Sequence, residues 1–209
     1  MTNLGNGGSA YNAQLKNSAS ISSSSGAYVV GTAAATFSAS TSDYIQINSP
    51  SLTFATTGVS FAFWFRANAD PQWARIFDFG NDPPGGNTGI DNVLVTIDNN
   101  YLTANVYVTT TTDLHKSNAW GVYVNDNTWR HAAWTIDASG TWLIYLNGAL
   151  VSTYTRNGYP NKVARQYNYL GRSGWAGDPY FTGGIDEFYL FNYVLTAAQV
   201  LSLYNHKSI

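Results

Sequence analysis

Val59-Ser60-Phe61-Ala62-Phe63-Trp64-Phe65-Arg66 sets an apolar side chain at every second position, three of them phenyl rings, with Ser60, Ala62 and Arg66 between. Successive side chains of a strand point to opposite faces, so this period of two predicts a strand with one face in an apolar core. The opposite face still carries Trp64. Working outward, similar strands are read at 44–47, 75–79, 92–97, 101–108, 130–136, 141–146 and 188–191, giving at least eight.

The intervening residues are turn formers. Asn147-Gly148 between two apolar runs is the short-range signal of a type I′ hairpin, and Asn99-Asn100 and Ser139-Gly140 mark two more reversals. Strands joined by hairpins without intervening helices imply antiparallel sheets, and this many bury their apolar faces best as two stacked sheets. The fold class is therefore all-β, a two-sheet antiparallel sandwich or jelly roll. One short helix is expected near the end, because Thr196-Ala197-Ala198-Gln199 has the capping-box form and leads into Val200, Leu201, Leu203 and Tyr204 at helical spacing. It is expected to close one edge of the sandwich.

A chain of 209 residues with this many strands reads as a single domain, 1–209, with 1–25 as a polar, flexible N-terminal segment. The Ser-rich stretch 18–25 and the Thr run 109–112 are too short to be linkers. Charged residues make up 11% of the chain against roughly 25% in average proteins, so the surface relies on Ser, Thr, Asn and Tyr and suits polar, uncharged partners. A net charge of -2 offers no basic field for nucleic acid or anionic membranes. The absence of cysteine removes disulfides, thiolate metal sites and cysteine nucleophiles. No apolar run is long enough to insert in a membrane, and no signal peptide is visible.

Aromatic residues next to polar ones are the candidate ligand contacts. A pyranose stacks its C–H face on Trp or Tyr while Asn, Asp or Arg satisfies its hydroxyls. Trp175 and Tyr180 flank Gly177-Asp178 after Arg172, and Trp73 precedes Arg75. Trp120, after the polar run 115–118, is a further candidate. Trp64, Trp134 and Trp142 lie within strands and are assigned to the core. The long polar stretch 78–92 adds Asn81 and Asp82, with Asp78, Asp91 and Asn92, as groups for sugar hydroxyls or a cation. No Ser-His-Asp or metal-spaced cluster is visible around His115, His131 or His206.

In order along the chain, 35–37, 43–47, 59–65, Ile76-Phe77-Asp78-Phe79-Gly80, Trp129-Arg130-His131-Ala132-Ala133-Trp134, 143–148 and Gly183-Gly184-Ile185-Asp186-Glu187-Phe188 resemble the laminin-G-like jelly rolls of the concanavalin A-like lectin and glucanase superfamily. The resemblance spans nearly the whole chain. It implies a calcium ion held partly by Asp186, with carbonyls from the glycine-rich N-terminus. The alternative for Asp186 is a carboxylate that caps a turn by accepting amides. The glucanase pattern E-x-D-x-x-E is absent and Glu187 is the only glutamate, so no enzyme activity is expected, and a glycosidase or polysaccharide lyase ranks last. The leading expectation is a non-catalytic lectin-like module for neutral glycans or glycoproteins. The alternative is a structural or adhesive component of a virus, phage or cell-surface assembly. Both imply an extracellular or particle surface.

Overall fold

The computed structural model describes residues 12–49, 52–83, 85–86, 88–108 and 113–206. The expectations for residues 1–11, Pro84, Asn87 and the Thr run 109–112 therefore fall outside the described residues. The rest form two stacked antiparallel sheets of seven strands each. The first sheet runs in the order β1 (Ala13–Lys16), β4 (Tyr44–Ile47), β13 (Tyr167–Leu170), β6 (Arg75–Gly80), β7 (Val93–Asp98), β8 (Tyr101–Tyr107) and β9 (Asp113–Lys116). The second runs β12 (Ala149–Tyr154), β11 (Trp142–Leu146), β10 (Arg130–Asp137), β5 (Gly58–Ala67), β14 (Gly183–Phe191), β3 (Ala34–Phe37) and β2 (Ser20–Ser22).

The aromatic alternation of β5 does what its period predicts. Phe61, Phe63 and Phe65 are fully buried between the sheets, and Phe61 stacks on Phe77 of the opposite sheet with centroids 4.8 Å apart. Each ring taken from water contributes about 1.5–3 kcal/mol, which makes this row a main source of stability. The hairpin turns match their residues. Asn147 and Gly148 have φ of 48° and 81°, and Asn99 and Asn100 have φ of 49° and 71°, the left-handed pair that a type I′ turn needs.

Two sequence expectations are corrected. The N-terminal segment, expected to be flexible through residue 25, is built into the sandwich from residue 13, where β1 pairs with β4 and β2 with β3. Edge strands need only backbone partners on one side, so their polar side chains hide them from a hydrophobic pattern. The helix α1 (Ala197–Tyr204) has the capping box, with Thr196 Oγ1 accepting from the Gln199 amide at 3.2 Å. Rather than closing an edge, it lays Val200 and Leu203 on the outer face of the second sheet, over Ala62, Ala133 and Tyr145, where the two alanines leave room. Trp64 is buried, as expected, on that outer face opposite the Phe row, where Tyr204 stacks on it at 5.5 Å. Trp134 and Trp142 are in the inter-sheet core as expected. No helix among the described residues is long and apolar enough to cross a membrane.

Candidate functional site

The outer face of the first sheet is set by strand parity. With Val93, Val95 and Ile97 in the core, β7 turns Leu94 and Thr96 outward; with Leu102, Ala104 and Val106 in the core, β8 turns out Thr103, Asn105 and Tyr107. On β6 a register shift between Arg75 and Phe77 sends Ile76 and Phe77 both into the core and leaves Arg75 outside. Two loops fold over this face and lock together. The Gly85 amide donates to Gly174 O at 3.2 Å, and the Ala176 amide donates to Gly86 O at 3.2 Å.

Between these loops and the strands lies an open cavity of about 190 Å3, floored by Leu94, Thr96 and Asn105 and walled by Trp73, Tyr107, Trp175 and Asp178. Arg75 is its organising residue. Its guanidinium donates to Asp178 Oδ2 at 2.7 Å, Thr96 Oγ1 at 2.7 Å and Trp73 O at 2.6 Å. It also lies 5.3 Å from the Trp175 ring centre and 6.0 Å from that of Trp73, so both indoles flank one buried cation. Ser173 Oγ donates to Asp178 Oδ2 at 2.8 Å and accepts from the Trp175 amide at 3.1 Å, which fixes the loop's orientation. Gly89, at φ +65°, gives the ring of Trp175 its seat. A Cβ there would stand 2.7 Å from Trp175 Cζ2 and 2.8 Å from Tyr107 Cδ1.

Behind the cavity Asp78 is sealed from solvent. It accepts from Asn92 Nδ2 at 2.5 Å and the Gly174 amide at 3.0 Å, with Arg75 Nε 3.7 Å away. Burial pushes its carboxyl above the ordinary range, and the Arg75 charge opposes that shift. Burial, reinforced by Asp113, pushes the Tyr107 phenol up to about 12, so it is a neutral group at physiological pH. The cavity thus offers two indole faces, one forked cationic donor and carboxylate and amide acceptors, an arrangement suited to a ligand with an apolar face and a hydroxyl rim.

The structure brings together Trp73, Trp175 and Asp178 from the sequence candidates. Arg172 and Tyr180 stand outside the cavity, where the Arg172 guanidinium lies 4.8 Å over Tyr44 and 4.9 Å over Tyr169, and Tyr180 packs on Tyr44 at 6.1 Å. Asp82 serves its own loop, and Asn81 ties that loop to Gln166. Asp82 accepts from the Thr88 amide at 2.8 Å, Thr88 Oγ1 at 3.0 Å and the Gly89 amide at 3.2 Å, and Asn81 Oδ1 accepts from the Gln166 amide. The 78–92 loop therefore supports the Trp175 seat through Gly86 and Gly89. Trp120 is buried in the core, with Nε1 donating to Tyr145 O at 3.1 Å.

Asp186 sits within β14, opposite Trp64, just before the shift in register at which Glu187 takes φ +47°. Its Oδ2 accepts the amides of Val29 and Val30, both at 2.9 Å. That is the turn-capping use of a carboxylate. The N-terminal carbonyls expected beside it belong to residues outside the description. No group of three or more His, Cys, Asp or Glu side chains suited to a metal occurs among the described residues.

Sequence reading missed Arg75 as the centre, and it missed Thr96, Asn105 and Tyr107. Their signal was present as the polar positions of the 92–97 and 101–108 strands, which parity alone places on one face.

No curated protein sequence matches this chain significantly. Solved structures with the same fold include the binding domain of Paraclostridial Mosquitocidal Protein 1, at 13% identity and TM-score 0.72, covering 98% of this chain and 49% of that one. Domain 4 of AbnA, a GH43 extracellular arabinanase from Geobacillus stearothermophilus solved with arabinotriose, matches at 18% identity and TM-score 0.68, covering 92% and 87%. The botulinum neurotoxin serotype G binding domain matches at 17% identity and TM-score 0.68, covering 94% and 47%. The chain spans about half the length of the toxin binding domains it matches. The family model Laminin_G_3 covers residues 39–201, and with the paired seven-stranded sheets it places the chain in the concanavalin A-like lectin/glucanases superfamily.

Proposed function

We propose that the protein is a non-catalytic, lectin-like module that binds neutral glycans, free or on glycoproteins, in the cavity between Trp73 and Trp175. The observation that carries this reading is the pair of indoles flanking the buried Arg75 and its partner Asp178. Ring faces take the C–H side of a sugar, while the guanidinium, Asp178 and Asn105 take its hydroxyls. The arabinotriose complex of AbnA domain 4 supports saccharide binding as a use of this fold. A binding rather than hydrolytic role is supported by the state of Asp78, Asp178 and Glu187. Asp78 is sealed behind Arg75, Asp178 is engaged by Arg75 and Ser173, and Glu187 lies on the other sheet, bonded to Tyr189. Such a module acts on an extracellular or particle surface, where repetition raises weak single-site affinity.

The test is a glycan array with multimerised protein. Binding of a neutral glycan that is lost in Trp175→Ala, with the fold retained, supports the reading. Absence of binding to any glycan overturns it. The assembly role draws on one feature, the exposed Leu150 and Val151 of edge strand β12 near exposed Leu201 of α1. A constitutive oligomer disrupted by Val151→Lys, together with a blank array, would favour that role instead.

A further inference from the structure

The cavity does not end at Trp73. On its far side a second cavity of about 150 Å3 opens over β8 and β9, walled by Asp98, Asp113, His115 and Ser117 and floored by Thr103 and Asn105. The two cavities share Trp73, Asn105 and Tyr107, so they form one continuous groove. The binding mode proposed above leaves the second half unused.

Two independent features point to a ligand there. Thr103 Oγ1 and Asn105 Oδ1 are buried without a hydrogen-bond partner, although Asn105 Nδ2 donates to Asp113 at 3.1 Å. Other buried side-chain atoms of the described residues also lack a partner, but these two belong to residues that line the second half of a polar groove, where an incoming hydroxyl would complete them. The other feature is the backbone of Trp73, at φ +74°. A bulky side chain in the left-handed region is a genuine outlier. Its amide donates to Ile97 O at 2.7 Å and its carbonyl accepts from Arg75 at 2.6 Å, so the conformation is enforced from both sides. The product is an indole 40% exposed, standing between the two cavities. Core packing does not reward that placement, and strain kept at an exposed aromatic marks a contact site.

We propose that the groove takes an oligosaccharide of at least two rings lying across Trp73, with the second ring seated over Thr103 and Asn105. This rests on the glycan-binding reading of the first cavity and extends it to a ligand class. The wall of the second half is dominated by acceptors. Asp98 and Asp113 are carboxylates, and His115, the basic group facing them, is tied to Asp113 with Nδ1 at 3.3 Å. Hydroxyls of a neutral ring donate to such a wall, whereas the carboxylate of a uronic or sialic acid is repelled by it.

The experiment is a chemical-shift titration, which reads millimolar affinities, of arabinan, xylan and β-glucan oligomers of one, two and three rings. It compares wild type, Trp175→Ala, Thr103→Val and Asp113→Asn. The expected result is binding of the two-ring ligand about tenfold or more tighter than of the one-ring ligand, equivalent to about 1.4 kcal/mol. That gain is lost in Thr103→Val and Asp113→Asn, and Thr103→Val, whose side chain lines only the second cavity, keeps the wild-type one-ring affinity. Trp175→Ala loses binding at every length. Equal affinity for one and two rings, or a length gain intact in both variants, overturns the second seat while leaving the first cavity standing. No binding at any length overturns both.

Discussion

Replacing Arg75 with Met keeps the stem of the side chain and removes the charge between Trp73, Trp175, Asp178 and Asp78. Arg75 and Asp78 are 5% and 1% exposed, so the carboxylate left behind has no access to water. Removing one partner of a buried ion pair costs about 3–5 kcal/mol. In a chain of this size each kcal/mol shifts Tm by about 2–4 °C, so Tm is expected to fall by about 6–20 °C at neutral pH. The deficit has a pH signature. Burial already raises the Asp78 carboxyl above its ordinary 3.8, and loss of the Arg75 charge raises it further. The folded variant then holds its proton to a higher pH than the unfolded chain, so stability is lost as pH rises above 3.8 toward the raised value. The gap between wild type and variant should therefore widen as pH rises above the raised wild-type value toward that of the variant, in thermal melts from acid to neutral pH followed by circular dichroism. A gap under about 2 °C, or one of constant size across that range, would refute the argument that a buried charge pair organises the site.

Other outcomes follow from the same geometry. His131 is buried between Trp64 and Tyr204, and burial together with His206 pushes its imidazole down to about 4; the unfolded chain takes up that proton near 6.5, so stability should fall as pH drops from about 6.5 to about 4. His131→Gln should flatten that slope, and an unchanged slope would contradict the assignment. Trp73→Gly relieves a left-handed backbone strained by about 1–2 kcal/mol and forfeits a cation-π contact of about 0.5–1 kcal/mol. It should leave Tm within about 4 °C while abolishing glycan binding, whereas a large loss of Tm would make Trp73 a structural residue. With Asp186 capping the Val29 and Val30 amides, EGTA should leave Tm unchanged, and a drop on chelation would show a structural calcium ion.

The sandwich was legible because its decisive signals are local. Period-two aromatics such as Phe61, Phe63 and Phe65, the Asn147-Gly148 turn and the Thr196 capping box each act over a few residues. The polar edge strands were not legible, since β1 and β2 gain their order from backbone pairing with residues 12 to 34 positions away rather than from a hydrophobic face. The site was half legible. Trp73, Trp175 and Asp178 carry visible chemistry, but their meeting depends on Arg75, on the register shift of β6 and on a loop bonded across about 90 residues. Arg172 and Tyr180 are close to Trp175 in sequence, yet the chain between them turns at Gly177 and sends them to Tyr44 instead. Sequence proximity groups these residues, and the fold parts them.

The most direct test of the groove as a glycan site is an indole NMR titration of the 15N-labelled protein with the tightest-binding neutral oligosaccharide from the array. The seven Trp Nε1–H signals separate by environment. Saturable shifts confined to Trp73 and Trp175, with those of the buried Trp64, Trp120, Trp134 and Trp142 unmoved, are the predicted result. Shifts centred on Trp129, at the other sheet, or binding that moves neither Trp73 nor Trp175, would contradict the account.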